Sequence, residues 1–319
     1  MLNLCSCDAR VANMYFTTNR RARPGLFPES TAIVLEWREC FFSRRDTGRR
    51  GSAARGGHSR SPTIKREAAL LVHMLQKMLS AFEAPTTVVA ALAWPKFSLS
   101  SLLIATRLRR RGIRPTTIID AGANEGQFAI AMAHVFPDAT IHSFEPDPKT
   151  YRRLARNVRR YSRVHTHELA LGDRRGESQF HVNTDAQVSS LLPASEERKR
   201  AFPNARTTGT IVVKTDTLSR FFADLDVAQP VLLKLDVQGY EHRILEGAGG
   251  FLPKVDYVLT ETAIRPLYVG EVPCGHMTGI LENLGFSLDL VADWHHSPRD
   301  GTVIELDLLF ARGSDREPR

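Results

Sequence analysis

The chain has 319 residues, 42 % of them apolar, and a net charge of +8. That is enough for one large domain or two modest ones with a sizeable core, but residues 1–66 alone carry 13 of the 43 Lys and Arg against 5 of the 35 Asp and Glu, so everything beyond is electrically balanced and gives no charge-based reason to expect nucleic-acid binding. Four cysteines, Cys5, Cys7, Cys40 and Cys274, make neither a disulfide framework nor a zinc spacing, and no stretch reaches the ~20 apolar residues of a membrane span; a reducing, cytoplasmic setting without membrane contact is the expectation.

Residues 1–66 read as a disordered basic tail. The segment SRRDTGRRGSAARGGHSRSP, 43–62, cannot bury enough apolar surface to offset its ordering entropy. Three readings stay open for it: an Arg-rich targeting segment, a nucleic-acid-binding tail, or a start placed too early, with Met74 or Met78 as the true beginning. The abrupt change in composition favours the third. Asp8 and Arg10, where a secretory leader needs an apolar run, argue against export.

Residues 67–115 read as a helical extension. Leu71, Leu75, Met78, Leu79 and Phe82 fall on one helical face, and Pro85 ends it. The basic run RLRRRGIRP, 107–115, reads as a solvated linker rather than an anion site. From residue 116 to 313 strand and helix patterns alternate. TTIID leads to a helix over 127–136, and ATIHSFE to a helix opening on Pro148, which suits a first turn. VHTHELAL is a third strand. QFHVN and TIVVK flank a polar insert, 184–208, as antiparallel additions. VLLKLDV, almost continuously apolar, suits a strand buried on both faces. YVLTET, a helix near 276–284, FSLDLV and IELDLLFA follow, and 314–319 is a tail. The expected fold is α/β: a Rossmann-like, doubly wound sheet, mostly parallel with an antiparallel C-terminal strand.

In such a sheet ligands sit beyond the C-terminal strand ends, near the point where strand order reverses. Asp120, Glu145 and Asp236 are all predicted there. Glu145 lies 25 positions after Asp120, the separation at which a second-strand acid binds a ribose. The intervening turn, Gly122-Ala123-Asn124-Glu125-Gly126, has Asn124 where the dinucleotide fingerprint has its second glycine, and Asp120 would repel a pyrophosphate. S-adenosylmethionine has no phosphate. Its sulfonium and ammonium suit an acidic strand end, and its carboxylate suits the N–H donors of the turn.

The ordered stretches IIDAGANEGQF, SFEPDPKTYRRLARNV, ALGDRRG, LLKLDVQGYEHRILEGA, YVLTETAIRPLYVG, GFSLDLV and ELDLLFARG resemble the FkbM family of class I methyltransferases, over 116–312. The family often has Asp after Thr-Leu ahead of the fourth strand; here Ser219 follows Thr217-Leu218, with Asp216 on the other side. The resemblance implies S-adenosyl-L-methionine as cofactor, with contacts at Asp120, Gly122, Asn124 and Gly126, ribose binding at Glu145 beside Pro146, and an adenine edge at Gly172 and Asp173. A plain Gly-Asp turn is an equal reading of that last pair. It also implies methyl transfer to a hydroxyl of a small molecule or saccharide. The base candidates are Asp236, then Glu241 and Glu261. Glu241 could instead serve a helix dipole. Lys234 shares a face with Asp236 and could pair with it or with Glu261. Acids inside apolar strands, Glu261 among them, need a partner or a function. His295 and His296 read as exposed loop residues with no third ligand, so no metal is expected. An NAD-dependent oxidoreductase and a non-catalytic binding module are the competing classes, with RNA methylation a weaker variant. The acceptor pocket would come from 184–208, 265–273 and Trp294; oligomeric state is not encoded legibly.

Overall fold

A computed structural model describes residues 94, 96–202, 205–297 and 301–313. The basic tail, the helix expected through Leu71 and Phe82, and residues 314–319 lie outside the described residues. Helix α1, Leu99–Arg110, begins at Ser98, whose Oγ accepts the Ser101 N–H, and buries Leu102, Leu103, Ala105 and Leu108. Its last turn holds Arg107, Arg109 and Arg110, where cations favour the helix dipole. The basic run is thus an exposed helix end, 107–110, followed by the connection to β1, 111–115. Arg111 then clamps Asp289 through two hydrogen bonds of 3.1 and 2.6 Å.

Next come β1, Thr117–Ala121; α2, Gln127–Val135; β2, Thr140–Phe144; α3, Pro148–Val158; and β3, Val164–His167. The third strand ends earlier than its sequence pattern suggests, and Ala170–Leu171 departs as a separate strand, β4. It joins β5, Gly176–Asn183, and β6, Thr207–Asp216, in a small sheet of order β4-β6-β5. The expected antiparallel pair is thus present, in a sheet of its own. Two short helices belong to this region: α4, Glu196–Ala201, capped by Ser195, and α5, Leu218–Phe221, capped by Thr217. The remainder is β7, Val231–Leu235; α6, Glu241–Gly247; β8, Tyr257–Ala263; α7, Cys274–Asn283; β9, Phe286–His296; and β10, Val303–Arg312.

The main sheet has the order β3-β2-β1-β7-β8-β10-β9. Strands from β3 to β8 run parallel, and β10 runs antiparallel to both its neighbours. This is the doubly wound sheet with a reversed final strand that the alternating pattern implies. Side-chain alternation splits the core in two. Ile119, Val231, Leu233 and Leu235 pack toward α5, α6 and α7 through Phe222, Ile244 and Leu281. Ile118 and Leu232 pack on the opposite face with Ile104, Phe128, Ile130 and Leu154 of α1, α2 and α3. A one-residue slip would exchange the two faces, so burial fixes the register. That register sets Asp120 beside Lys234 on one side and Ser143 on the other, at the β1–β7 boundary where strand order reverses. No helix among the described residues is long and apolar enough to cross a membrane.

Candidate active site

The turn after β1 is shaped by backbone that only certain residues tolerate. Gly122 has φ +77°, and a Cβ there would lie 1.8 Å from the Asp236 carbonyl oxygen. Glycine thus lets the first and fourth strand ends touch. Asn124 holds φ +49°, a left-handed conformation that Asn accepts more readily than most residues. Gly126, at φ +94°, starts α2 where a Cβ would meet Leu154 and Val158 of α3 at 3.0 Å each.

Glu145 follows β2 and ties this turn to the next. Its two oxygens accept the Asn124 N–H at 3.0 Å and the Asp147 N–H at 2.9 Å. Asp147 in turn caps α3 through Lys149 and Thr150. Burial pushes the Glu145 carboxyl up to about 8, against the pull of its two backbone donors. The Oδ1 of Asn124 is buried without a hydrogen-bond partner. Gly122, Asn124, Glu145 and Pro146 all line a cavity of about 730 Å³, within the size range of small-molecule sites.

Asp120 is turned away from that cavity. It is fully buried, and Lys234 Nζ sits 3.1 Å from its Oδ1 while Ser143 donates to its Oδ2 at 3.3 Å. The strand-end charge expected to face a cationic ligand is instead neutralised inside the fold, because parallel register places Lys234 directly across from it. Burial alone would lower the Lys234 ammonium, but the Asp120 and Asp236 carboxylates outweigh it and raise it. Lys234 also lies 3.3 Å from Asp236 Oδ2 and donates to the Gly122 carbonyl at 3.1 Å. It pairs with Asp236 and Asp120, not with Glu261.

Asp236, against the Gly122 turn, joins that side of the cavity to an acidic wall of Glu261, His295, Glu305 and Asp307. The Asp236 side chain is 34 % exposed. Burial would raise it, but Lys234 and the Gln238 amide hold it below the ordinary carboxylate range. Gln238 is the hub of this wall. It adopts φ +62°, and its Nε2 donates to Asp236 Oδ1 at 3.0 Å and to Glu261 Oε2 at 2.5 Å. Its Oε1 accepts from Tyr268 Oη at 2.7 Å, and its carbonyl accepts from Ser190 Oγ at 2.7 Å. Burial, then repulsion from Asp236, Glu305 and Asp307, drives Glu261 well above its usual range.

Besides Asp120, four expected residues do not line the cavity, and Gly126, packed against α3, is one of them. Glu241 Oε1 accepts the Val237 and Gly239 N–H groups at 2.9 and 3.1 Å, bracing the loop that carries Gln238. Gly172 and Asp173 follow β4 behind the Tyr240 ring, with Asp173 accepting from Tyr240 Oη at 3.3 Å; the cavity wall there is Leu169, Ala170 and Leu171. Sequence reasoning missed Gln238 as a hub, Asp307 and Glu305 as cavity residues, and Arg198. The alternation Glu305-Leu306-Asp307-Leu308 already signals two acids on one strand face. His295 and His296, read as a loop, extend β9; their partners on β10 are distant in sequence, and pairing of that kind leaves no local pattern.

A family profile described as the methyltransferase FkbM domain matches residues 120–288. The 2-O-methyltransferase NoeI of Sinorhizobium fredii is 30 % identical over 183 residues, covering 56 % of this chain and 74 % of the relative. The 31-O-demethyl-FK506 methyltransferase FkbM of Streptomyces tacrolimicus is 25 % identical over 221 residues, covering 62 % and 78 %. The hexuronic acid methyltransferase AglP of Haloferax volcanii is 27 % identical over 143 residues, covering 44 % and 54 %. With the profile spanning more than half the chain and running from Asp120 past Asp236 and Glu261, this protein is a methyltransferase and belongs to the FkbM family.

Proposed function

We propose that the chain transfers a methyl group from S-adenosylmethionine to a hydroxyl of a small molecule or saccharide. The observation that carries this reading is one continuous cavity joining the Gly122–Asn124 turn and Glu145 to Asp236. The relatives named for 2-O- and 31-O-methylation and for a hexuronic acid point to oxygen acceptors of this class.

The donor side fits such a cofactor. Glu145 presents a carboxylate to ribose hydroxyls, and the unpartnered Asn124 Oδ1 offers an acceptor beside it. The backbone of the turn and Pro146 shape the rest of that wall. When bound, S-adenosylmethionine supplies a methyl group on a sulfonium that is already a good leaving group. The protein therefore has two tasks, to align the acceptor oxygen and to take its proton. Alignment of this kind can supply ~7–11 kcal/mol.

Asp236 is the base in this reading. It ends β7 beside the donor turn, its side chain reaches the cavity, and Lys234 keeps it ionised. Gln238 fixes its orientation. Lys234 acts on the reaction by holding Asp236 and the Gly122 carbonyl in register. Glu241 holds the loop between them and does not reach the cavity. Glu261, at the end of the next strand, contributes to the acceptor wall.

A cofactor-dependent acceptor screen with mass detection tests the reaction. Asp236→Asn should lower turnover by ~10²–10⁴-fold while S-adenosylhomocysteine still binds. Normal turnover by that variant removes Asp236 from the base role. Calorimetric binding of NADH, without binding of S-adenosylmethionine or S-adenosylhomocysteine, overturns the donor assignment.

A further inference from the structure

We propose that Glu261, His295 and Asp307 bind a divalent transition-metal cation, with Mn²⁺ as the reference ion, on the acceptor side of the cavity. Among the described residues these three are the one set of His, Cys, Asp or Glu ligand atoms that all fall within 4.8 Å of one another. They come from three adjacent strands. Glu261 of β8 and Asp307 of β10 are register partners, and His295 of β9 reaches across with its Nε2 3.4 Å from Asp307 Oδ2 and 3.8 Å from Glu261 Oε1. Ligands of an octahedral ion at ~2.1 Å stand roughly 3 Å apart when adjacent, so small side-chain rotations close the trio on one face of an ion. Two carboxylates and one imidazole suit Mn²⁺, Fe²⁺ or Zn²⁺ better than Ca²⁺.

Charge on this wall points the same way. Asp236, Glu261, Glu305 and Asp307 face one cavity, which Lys234 lines beside Asp236 and Arg198 lines as well, while the His295 imidazole is the basic group against the trio. Burying like charges together is costly unless a counter-charge joins them. An independent feature lies behind the trio. Asp293 is 5 % exposed, sits across from Asp307 in register, and keeps Oδ2 buried with no hydrogen-bond partner. It adds to the negative surround of an ion held by the trio, whose ligand atoms are the ones close enough to share it. Gln238 donates to Glu261 Oε2, and Oε1 is the atom that faces His295.

The chemical consequence rests on the methyl-transfer reading; the cation site does not. Asp236, held acidic by Lys234, is a weak base for an ordinary alcohol. A cation beside it would lower the proton affinity of an oxygen bound to it and would fix a hydroxyl or vicinal diol facing the donor side.

The test uses the full chain, stripped with a chelator and titrated with MnCl₂, with free Mn²⁺ followed by electron paramagnetic resonance. One site per chain is expected, with a nitrogen coupling in the pulsed spectrum of the bound ion. Asp307→Asn and His295→Gln should each weaken uptake at least ~10-fold, and His295→Gln should also erase the nitrogen coupling. Circular dichroism and S-adenosylhomocysteine binding, run on every variant, report folding and the donor site. Should Asp307→Asn fail to fold, His295→Gln alone decides. No Mn²⁺ uptake by the wild-type chain, or uptake unchanged in the folded variants, overturns the cation and means that a shared proton holds His295 to its two acids. Mn²⁺ uptake without S-adenosylhomocysteine binding supports the cation and sinks the donor reading instead.

Discussion

The two walls of the cavity handle charge in opposite ways. On the donor side the acids, Glu145 at the cavity and Asp120 and Glu125 behind it, are answered from within the chain. Asp120 has Lys234 and Ser143, Glu145 has two backbone N–H groups, and Glu125 has Lys96 at 2.7 Å and Arg153 at 2.9 Å. On the acceptor wall Glu261, Glu305 and Asp307 crowd together around one imidazole, with the Arg198 guanidinium also lining the cavity. The lesson is that the donor wall is a finished, preorganised surface, whereas the acceptor wall is built for charge or hydrogen-bond donors that a ligand brings.

The sharpest way to break this contrast is to unpair the donor wall. Lys234→Met should cost ~3–5 kcal/mol, because it strands Asp120 in the core. Urea unfolding would measure it. Adding Asp120→Asn should recover most of the loss, and additive losses in the double variant would mean the pair is not a unit. Next in size is Glu145→Gln. It swaps one acceptor oxygen for an amide N–H₂, a hydrogen bond worth ~0.5–1.5 kcal/mol, so S-adenosylhomocysteine affinity measured by calorimetry should fall by about 2–10-fold.

Glu241→Gln distinguishes bracing from catalysis. Gln retains the oxygen that accepts from Val237 and Gly239, so turnover should persist if Glu241 only braces the loop. Its carboxyl sits at about 8 in the folded chain against an ordinary 4.5, with burial as the cause. Between those values the folded state holds a proton that the unfolded state has released. Wild-type stability should therefore fall as pH rises through that window, by at most about 1.4 kcal/mol per pH unit from this group. The variant should show a flatter pH profile in urea titrations. Smallest of all, Glu125→Gln loses two partly exposed ion pairs and should change stability by less than ~1 kcal/mol; a larger loss would make that surface link part of the donor turn's preorganisation.

What was legible in the chain follows the same divide. β1 and β7 announce themselves as short, largely apolar runs with an acid at the end, because a strand buried on both faces leaves little choice of residue. Glycine at 122 and 126 is likewise a local demand of the turn. Their electrostatic meaning was not local. Whether Asp120 faces a ligand or a lysine depends on cross-strand register with a residue 114 positions away. The acceptor wall depends still more on such pairing, since His295 meets its partners only once β8, β10 and β9 lie side by side. The small sheet escaped for a related reason. VHTHELAL reads as one strand, and nothing in it reveals that Ala170–Leu171 pairs with β6. Helix α4 did leave a signal, a Ser195 cap whose hydroxyl accepts the Arg198 N–H.

The most direct measurement is S-adenosylhomocysteine binding by calorimetry to the wild-type chain, Glu145→Gln and Asp307→Asn. A donor wall complete in itself binds one equivalent, weakens with Glu145→Gln, and is left essentially unchanged by Asp307→Asn. Absence of binding, or equal weakening by the two folded variants, would contradict the division of the cavity into a finished donor wall and an open acceptor wall.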